Sequence, residues 1–88
     1  MASKNLHDAK ISVAVLSISE VLFRGEVRAV SSYNVRGAFD VLPMHSQFIT
    51  LIEKELILHL DDTQEQRFKV TKGVMHVMND QVKIFVGF

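Results

Sequence analysis

The chain lacks cysteine and tryptophan, contains one proline and four glycines, and carries no excess of charge of either sign. Without cysteine it can form no disulfide, no thiolate nucleophile and no cysteine-ligated zinc site. Its ten basic and ten acidic side chains give a formal net charge of zero, whereas a general nucleic-acid binder needs an excess of Lys and Arg to offset phosphates. Composition therefore favours a small globular domain without redox, zinc or nucleic-acid chemistry.

Long apolar runs are also missing. No uninterrupted stretch approaches the roughly 20 apolar residues that a membrane-spanning helix needs, and the polar first ten residues lack the apolar centre of a secretory signal. We therefore predict a flexible leader at residues 1–10 and a single domain at residues 11–88. Any membrane contact is expected to occur only through partner proteins.

Alternation of apolar and polar residues with a period of two dominates the chain, which is typical of strands with one buried face. The pattern predicts a bend or bulge at Gly25, a loop at residues 31–34, and a two-residue hairpin connection at Asn79-Asp80. The predicted strands are residues 11–16, 21–23, 26–30, 38–42, 56–60, 67–70, 74–78 and 81–86.

Residues 46–58 are ambiguous, because their apolar positions also suit one face of a helix. The β-branched content and the neighbouring strands favour two strands joined by a polar turn at residues 53–55. Many short strands and no convincing long helix predict an all-β fold, an antiparallel sandwich or barrel.

The residues that usually carry chemistry do not form recognised sites. His7, His45, His59 and His76 show no metal-ligand spacing, the serines lack a nucleophile elbow, and the glycines are too isolated to cradle a phosphate. Arginines 24, 28 and 36 with Tyr33 come nearest to a nucleic-acid strip, but exposed aromatic platforms are missing. We predict no metal, no cofactor, no nucleic-acid binding and no enzyme activity.

Residues 37–45 contain the only proline and read Gly-Ala-Phe-Asp-Val-Leu-Pro-Met-His. Phe39 and Val41 fit a short strand that ends where Pro43 cannot donate a ladder hydrogen bond, and Gly37 permits a turn at its start. The order resembles the Gly-x-Phe-Gly-Ile-Leu-Pro-Gly-His-Ala-Pro signature of the ATP synthase epsilon subunit family, called delta in mitochondria. Residues 20–27 and 72–77 resemble two further motifs of that family, Glu-Val-Phe-Ser-Gly-Glu-Val and Ser-Gly-Gly-Phe-Leu-Glu-Val.

The resemblance implies a β-sandwich of about ten short strands that belongs to the rotor of a rotary ATP synthase. Such a subunit is not catalytic; it binds the gamma subunit and the c-ring and helps couple ion-driven rotation to ATP synthesis. It would lie peripherally at the cytoplasmic face of a bacterial cell membrane. By the same resemblance, Gly25 and Gly73 are turn glycines, and the partner-binding residues are Gly37, Phe39, Asp40, Pro43, Met44 and His45.

The chain departs from the family pattern at several positions. Ala38 replaces an acidic residue that meets the c-ring in relatives, and Asp40, which alternation places on the same side, is expected to supply that charge. Lys72 replaces a glycine, where a positive φ would cost about 1–2 kcal/mol.

The chain also ends straight after the last predicted strand, where relatives continue into a two-helix hairpin, so we expect neither that hairpin nor nucleotide binding. The alternative interpretation is a free-standing β-sandwich interaction module, derived from the same domain but without a synthase role. Self-association of isolated copies is expected in either case, because an uncovered apolar patch favours association.

Overall fold

The computed structural model describes residues 9–44 and 47–87, and these residues form seven β-strands and no helix. Their bounds are β1 (Ile11–Leu16), β2 (Val21–Val27), β3 (Ala29–Asn34), β4 (Gly37–Val41), β5 (Phe48–His59), β6 (Glu65–Met78) and β7 (Gln81–Val86). The strands follow the sheet order β2-β1-β7-β6-β5-β3-β4. All pairings are antiparallel except that of β1 with β7, which is parallel.

Two long strands let one continuous sheet form two layers. The N-terminal half of β5 pairs with the C-terminal half of β6, which continues into β7, β1 and β2; this is the first layer. The C-terminal half of β5 pairs with the N-terminal half of β6 and with β3, which pairs with β4; this is the second layer. The smallest extent of the molecule, 22 Å, accommodates two sheets packed about 10 Å apart.

The buried side chains of both layers form one cluster. Its members come from every strand and are 0–5% exposed: Ile11, Val13, Val15, Val27, Val30, Val41, Ile52, Leu56, Leu58, Val70, Met75, Val77, Val82, Ile84 and Val86. Within β1 and β7 they alternate with outward residues, as period-two patterning requires. The all-β prediction is confirmed.

Irregular pairing marks the bend between the layers. Ile52 pairs with Gly73 but Lys54 pairs with Val70, so β6 carries an extra residue at this point, as in a β-bulge. Lys54 has φ of 71°, the left-handed region that L-residues rarely adopt. Before the bulge the inward-facing residue of β6 is the even-numbered Val70. After the bulge the inward-facing residues are odd-numbered.

A buried serine stabilises the irregular stretch of β5. Between Ser31 and Tyr33 the register of β3 against β5 shifts, leaving extra β5 residues opposite Ser32. The Ser32 hydroxyl, 1% exposed, donates a hydrogen bond to the Glu55 carbonyl at 2.7 Å. This bond gives the buried Ser32 hydroxyl a hydrogen-bond partner, as buried polar groups require.

Several local predictions were wrong for one physical reason: tertiary pairing extended strands through residues that suggested turns. Residues 31–34, predicted as a loop, form most of β3, and residues 53–55, predicted as a turn, lie within β5. Gly25 lies inside β2, paired with Val13, and the strand break comes at Arg28 instead. The described residues therefore form seven strands, fewer and longer than the ten or so short strands that were predicted.

The glycines differ in what they provide. Gly37 has φ of 115° at the start of β4, so the turn predicted there does need a residue without Cβ. Gly73 is not a turn glycine: it lies within β6, and a Cβ there would meet Ile52 Cγ1 and the Phe85 carbonyl oxygen at 2.9 Å each. Lys72 does not adopt the positive φ considered for it. The predicted hairpin between β6 and β7 is confirmed, with Asn79 at φ of 56°.

Candidate functional site

The segment that carries the family signature is the edge strand β4 and the residues after it. Phe39 is half-buried and its ring packs edge-on against Phe48, with 6.4 Å between centroids and 74° between planes. Val41 is buried in the core, and Pro43 follows the end of β4 without interrupting its pairing. Phe39 therefore contributes packing within the domain, while the residues after β4 are available to a partner.

Hydrogen bonds fix the end of β4 beside the β6–β7 turn. Met44 is 66% exposed with φ of 67°, and its backbone N–H donates to Asp80 Oδ1 at 2.7 Å. The Asp80 carbonyl accepts from the Ser12 N–H at 2.9 Å. Asp80 thus joins β1, the β6–β7 turn and the β4 end. His45 lies outside the described residues.

Asp40 and Ala38 are both exposed and lie on the same side of β4, which fits the alternation used to predict them. The Asp40 carboxylate accepts a hydrogen bond from the Ser31 hydroxyl at 2.5 Å. Its charge is therefore presented outward but held in a fixed position by β3.

The Asp40 bond continues into a chain of side chains across the second layer. Ser31 Oγ lies 2.8 Å from His59 Nε2, and His59 Nδ1 lies 3.7 Å from Glu65 Oε2. Because Ser31 donates to Asp40, Nε2 of His59 acts as the donor to Ser31. The Ser31 hydroxyl thus contacts both neighbours, and the backbone of β3 is paired with β4 on one side and β5 on the other. These side-chain contacts connect β4, β3, β5 and β6 across the second layer.

Ion pairs cover the rest of this surface, which we call the polar face. Arg67 donates to both carboxylate oxygens of Glu55 at 3.1 Å and to Glu65 Oε1 at 2.7 Å, and its hydrogen bonds to Glu65 and then to Glu55 raise its pKa further. Arg28 binds Asp62 at 2.7 Å. In the adjacent turn, the backbone N–H of Thr63 lowers the pKa of Asp61. Both arginines of the polar face are thus paired with carboxylates of the same face.

The outer face of the first layer has a different character. Pairing places five apolar residues side by side across five strands, a set that we call the apolar row: Val21, Leu16, Phe85, Val74 and Leu51. Leu51 is 70% exposed, Val21 52% and Phe85 42%. Four strand spacings make the row about 19 Å long. Single exposed apolar residues are ordinary, but a continuous row indicates an interaction surface.

Two depressions lie along the apolar row, one at its Leu51 end and one beside Leu16 and Phe85. One of about 300 Å³ lies between β5 and β6, with Val35 and Lys72 on its rim. Another of about 220 Å³ lies where β1 and β7 end, beside Ile18. Val35 is 92% exposed and Ile18 95%. Apolar depressions of this kind can receive single side chains of a partner.

A second row runs parallel to the apolar row, two residues away along β1, β7 and β6 and three residues away along β2. Arg24, Ala14, Lys83 and His76 follow one another across β2, β1, β7 and β6; we call them the basic row. A depression of about 240 Å³ lies beside it, with Gly25 among the residues that form it.

The described residues contain no group of three or more His, Cys, Asp or Glu side chains that could hold a metal ion. Within residues 9–44 and 47–87, no helix is long and apolar enough to cross a membrane. The candidate sites in this part of the chain are therefore the surfaces described above: the end of β4, the apolar row and the basic row.

Comparison with known proteins agrees with the signature and the fold. The family described as "ATP synthase, Delta/Epsilon chain, beta-sandwich domain" matches residues 10–87. The chain belongs to the ATP synthase delta/epsilon family. The ATP synthase epsilon chain of Helicobacter pylori is 34% identical over 77 residues, covering 82% of this chain and 63% of the relative. That of Sulfurimonas denitrificans is 30% identical over 79 residues, covering 89% and 59%. The chain thus spans less than two thirds of the length of these relatives.

Solved structures with the same fold come from ATP synthases. A chain of the Euglena gracilis mitochondrial ATP synthase, in a structure of OSCP, F1 and c-ring, aligns with a TM-score of 0.82 and 18% identity, covering 97% of this chain and 54% of its own length. A chain of the Tetrahymena thermophila mitochondrial ATP synthase central stalk and c-ring aligns with a TM-score of 0.74 and 10% identity. The β-sandwich and the family predicted from the three motifs are both confirmed.

Sequence reasoning did not find the apolar row. Its members are spread along the chain from Leu16 to Phe85, and only the strand pairing brings them together. The sequence did contain a partial signal. Phe48-Ile49-Thr50-Leu51-Ile52 has apolar residues on both faces of the strand, whereas a strand with one face in water has apolar residues on one face only.

Proposed function

We propose that this chain is a non-catalytic subunit of the central stalk of a rotary ATP synthase. In this proposal it binds the gamma subunit through the apolar row and meets the c-ring through residues after β4, with Asp40 supplying the charge missing at Ala38. It would lie peripherally at the cytoplasmic face of a bacterial cell membrane and help couple ion-driven rotation to ATP synthesis. The observation that carries the proposal is the family membership of residues 10–87 combined with an uncovered apolar row.

The positions of the two surfaces support a coupling role. Asp80 fixes the β4 end beside Gln81 at the start of β7, whereas the apolar row crosses β7 at Phe85. Four residues of strand separate them by about 13 Å. The strand that joins them packs Val82, Ile84 and Val86 into the core, and close-packed interiors compress little and transmit strain. One rigid body could therefore bind different partners at these two places.

A crossed binding experiment tests the two contacts separately. The wild-type chain, Leu51→Ser/Phe85→Ser and Asp40→Ala would each be tested by pull-down and titration against the gamma subunit and the c-ring of the same organism. We expect the serine variant to bind gamma about 100-fold more weakly while keeping the c-ring, because buried apolar anchors contribute roughly 1–2 kcal/mol each. Asp40→Ala should weaken the c-ring contact and keep gamma.

Thermal unfolding of each variant controls for loss of the fold. A wild-type chain that bound neither gamma nor the c-ring would overturn the proposal and favour the free-standing interaction module. Unchanged c-ring binding by Asp40→Ala would refute the role of that carboxylate alone.

A further inference from the structure

Two cations of the basic row have no partner in the described part of the chain. Arg24 and Lys83 flank Ala14 on neighbouring strands and are both exposed, and no hydrogen bond or ion pair joins either side chain to another described residue. The two arginines of the polar face, Arg28 and Arg67, are paired with carboxylates, whereas its Lys69 has no ion pair with another described residue. Unpaired charges beside an apolar surface suit an electrostatic contact with a partner.

The two rows have a fixed relation to one another. Two residues along β1, β7 and β6 separate them, or about 7 Å, and two strand spacings separate Arg24 from Lys83, or about 10 Å. The two depressions along the apolar row lie at the β5–β6 and β7–β1 pairings, so they are also about 10 Å apart. A helix presents residues i and i+7 at about 10.5 Å, so one helical face could supply both apolar side chains.

We propose that this face binds an apolar ridge of a partner protein that carries carboxylates along one side only, and that Arg24 and Lys83 determine the orientation of that partner by pairing with them. The inference rests on the proposed function, in which the partner is the gamma subunit. The apolar row supplies contact area, but an apolar contact alone would let the ridge slide along the row or bind in the reverse direction. Pairing of its carboxylates with Arg24 and Lys83 selects one of the two directions.

A protein partner fits these residues better than an anionic membrane surface. A membrane attracts a cluster of cations, yet Glu26 lines the depression beside the basic row, Glu53 lines the depression between β5 and β6 together with Lys72, and the chain has no net charge. Charges of both signs on one face favour a partner protein whose own charges match those positions.

Charge reversal with matched controls tests the inference. Lys83→Glu and Lys69→Glu change the same residue type at an exposed outward position, on the proposed binding face and on the polar face respectively. Affinity for the gamma subunit would be measured by titration at about 50 and 500 mM salt, a range over which surface electrostatics are strongly screened. Binding to vesicles of phosphatidylglycerol would be measured in parallel, with thermal midpoints as a check on folding.

We expect Lys83→Glu to weaken gamma binding about tenfold and Arg24→Glu/Lys83→Glu about 50-fold, with Lys69→Glu near the wild type. High salt should weaken the wild type more than the double variant. Equal binding by Arg24→Glu/Lys83→Glu and the wild type would overturn the orientation role and leave the proposed function standing. Wild-type chain that bound vesicles but not gamma would overturn both.

Discussion

The two outer faces of this small sandwich differ in the side chains that they expose to solvent. On the polar face, Arg67, Glu55, Glu65 and the Asp40–Ser31–His59 chain satisfy one another. On the outer face of the first layer, Leu51 and Phe85 remain uncovered beside cations that have no partner in the described residues. An uncovered apolar surface gains more from a partner than a surface whose ion pairs are already formed.

The joint between the two layers should be the most sensitive point. In Gly73→Ala, the new Cβ would lie 2.9 Å from Ile52 Cγ1 and from the Phe85 carbonyl oxygen. The backbone must shift to relieve this contact, so we expect a loss of about 2 kcal/mol in the free energy of unfolding. Gly25→Ala is the control, because its Cβ would meet only the ring of Phe23, at 3.3 Å. Chemical denaturation measures both, and equal stability of the two variants would contradict the close approach at Gly73.

The buried hydroxyl of the second layer should come next. Ser32→Ala removes the donor to the Glu55 carbonyl and leaves that oxygen without its partner, which should lower the free energy of unfolding by about 1–2 kcal/mol. Ser12→Ala, at an exposed position of β1, should have almost no effect. Amide hydrogen exchange should locate the weakened protection in β3 and β5. Unchanged exchange in those strands would argue against the bond.

Variants of the two faces should separate stability from binding. Leu51→Ser should change the free energy of unfolding by less than about 0.5 kcal/mol, since the side chain is 70% exposed, and should reduce self-association. Arg67→Ala should lower the thermal midpoint slightly, with the loss shrinking in high salt because the ion pairs are exposed. Sedimentation and scanning calorimetry measure these effects. A large stability loss in Leu51→Ser would mean that the apolar row contributes to the fold instead.

The smallest expected effect is on acid stability. Because the Thr63 backbone N–H lowers the pKa of Asp61 below its ordinary value of 3.8, ionised Asp61 stabilises the fold above that value, and the contribution is lost as pH falls through the lowered pKa. A carboxyl titration by NMR should find Asp61 titrating below its ordinary value of 3.8. Thr63→Gly retains the backbone donor and removes the side-chain hydroxyl, so it should return the pKa only in part. Complete return would assign the shift to the hydroxyl.

Sequence reasoning recovered the class of fold because alternation is a local property. Ile11, Val13 and Val15 of β1, and Val82, Ile84 and Val86 of β7, are buried as their spacing predicts. It failed at residues 31–34 and 53–55, where serines and charged residues resembled turns. Those residues are held in strands by long-range partners such as the Ser32–Glu55 bond, which no local window contains.

Among the candidate surfaces, too, only the one formed by residues close together in the sequence could be predicted. The signature segment was found because its residues are consecutive, and Asp40 was placed correctly on the side of Ala38 by alternation. The apolar and basic rows run perpendicular to the strands, so neighbours such as Leu51 and Val74, or Ala14 and Lys83, are far apart in sequence. Strand order and register are needed to see them.

The most direct test of the account is a map of the gamma-binding face on the isotope-labelled chain. Backbone amide shifts would be followed by NMR as the gamma subunit of the same organism is added. The account predicts that perturbed amides concentrate at Leu16, Leu51, Val74 and Phe85 and along the basic row, with Glu55, Arg67 and Lys69 unaffected. Perturbation centred on the polar face, with the apolar row unchanged, would contradict it.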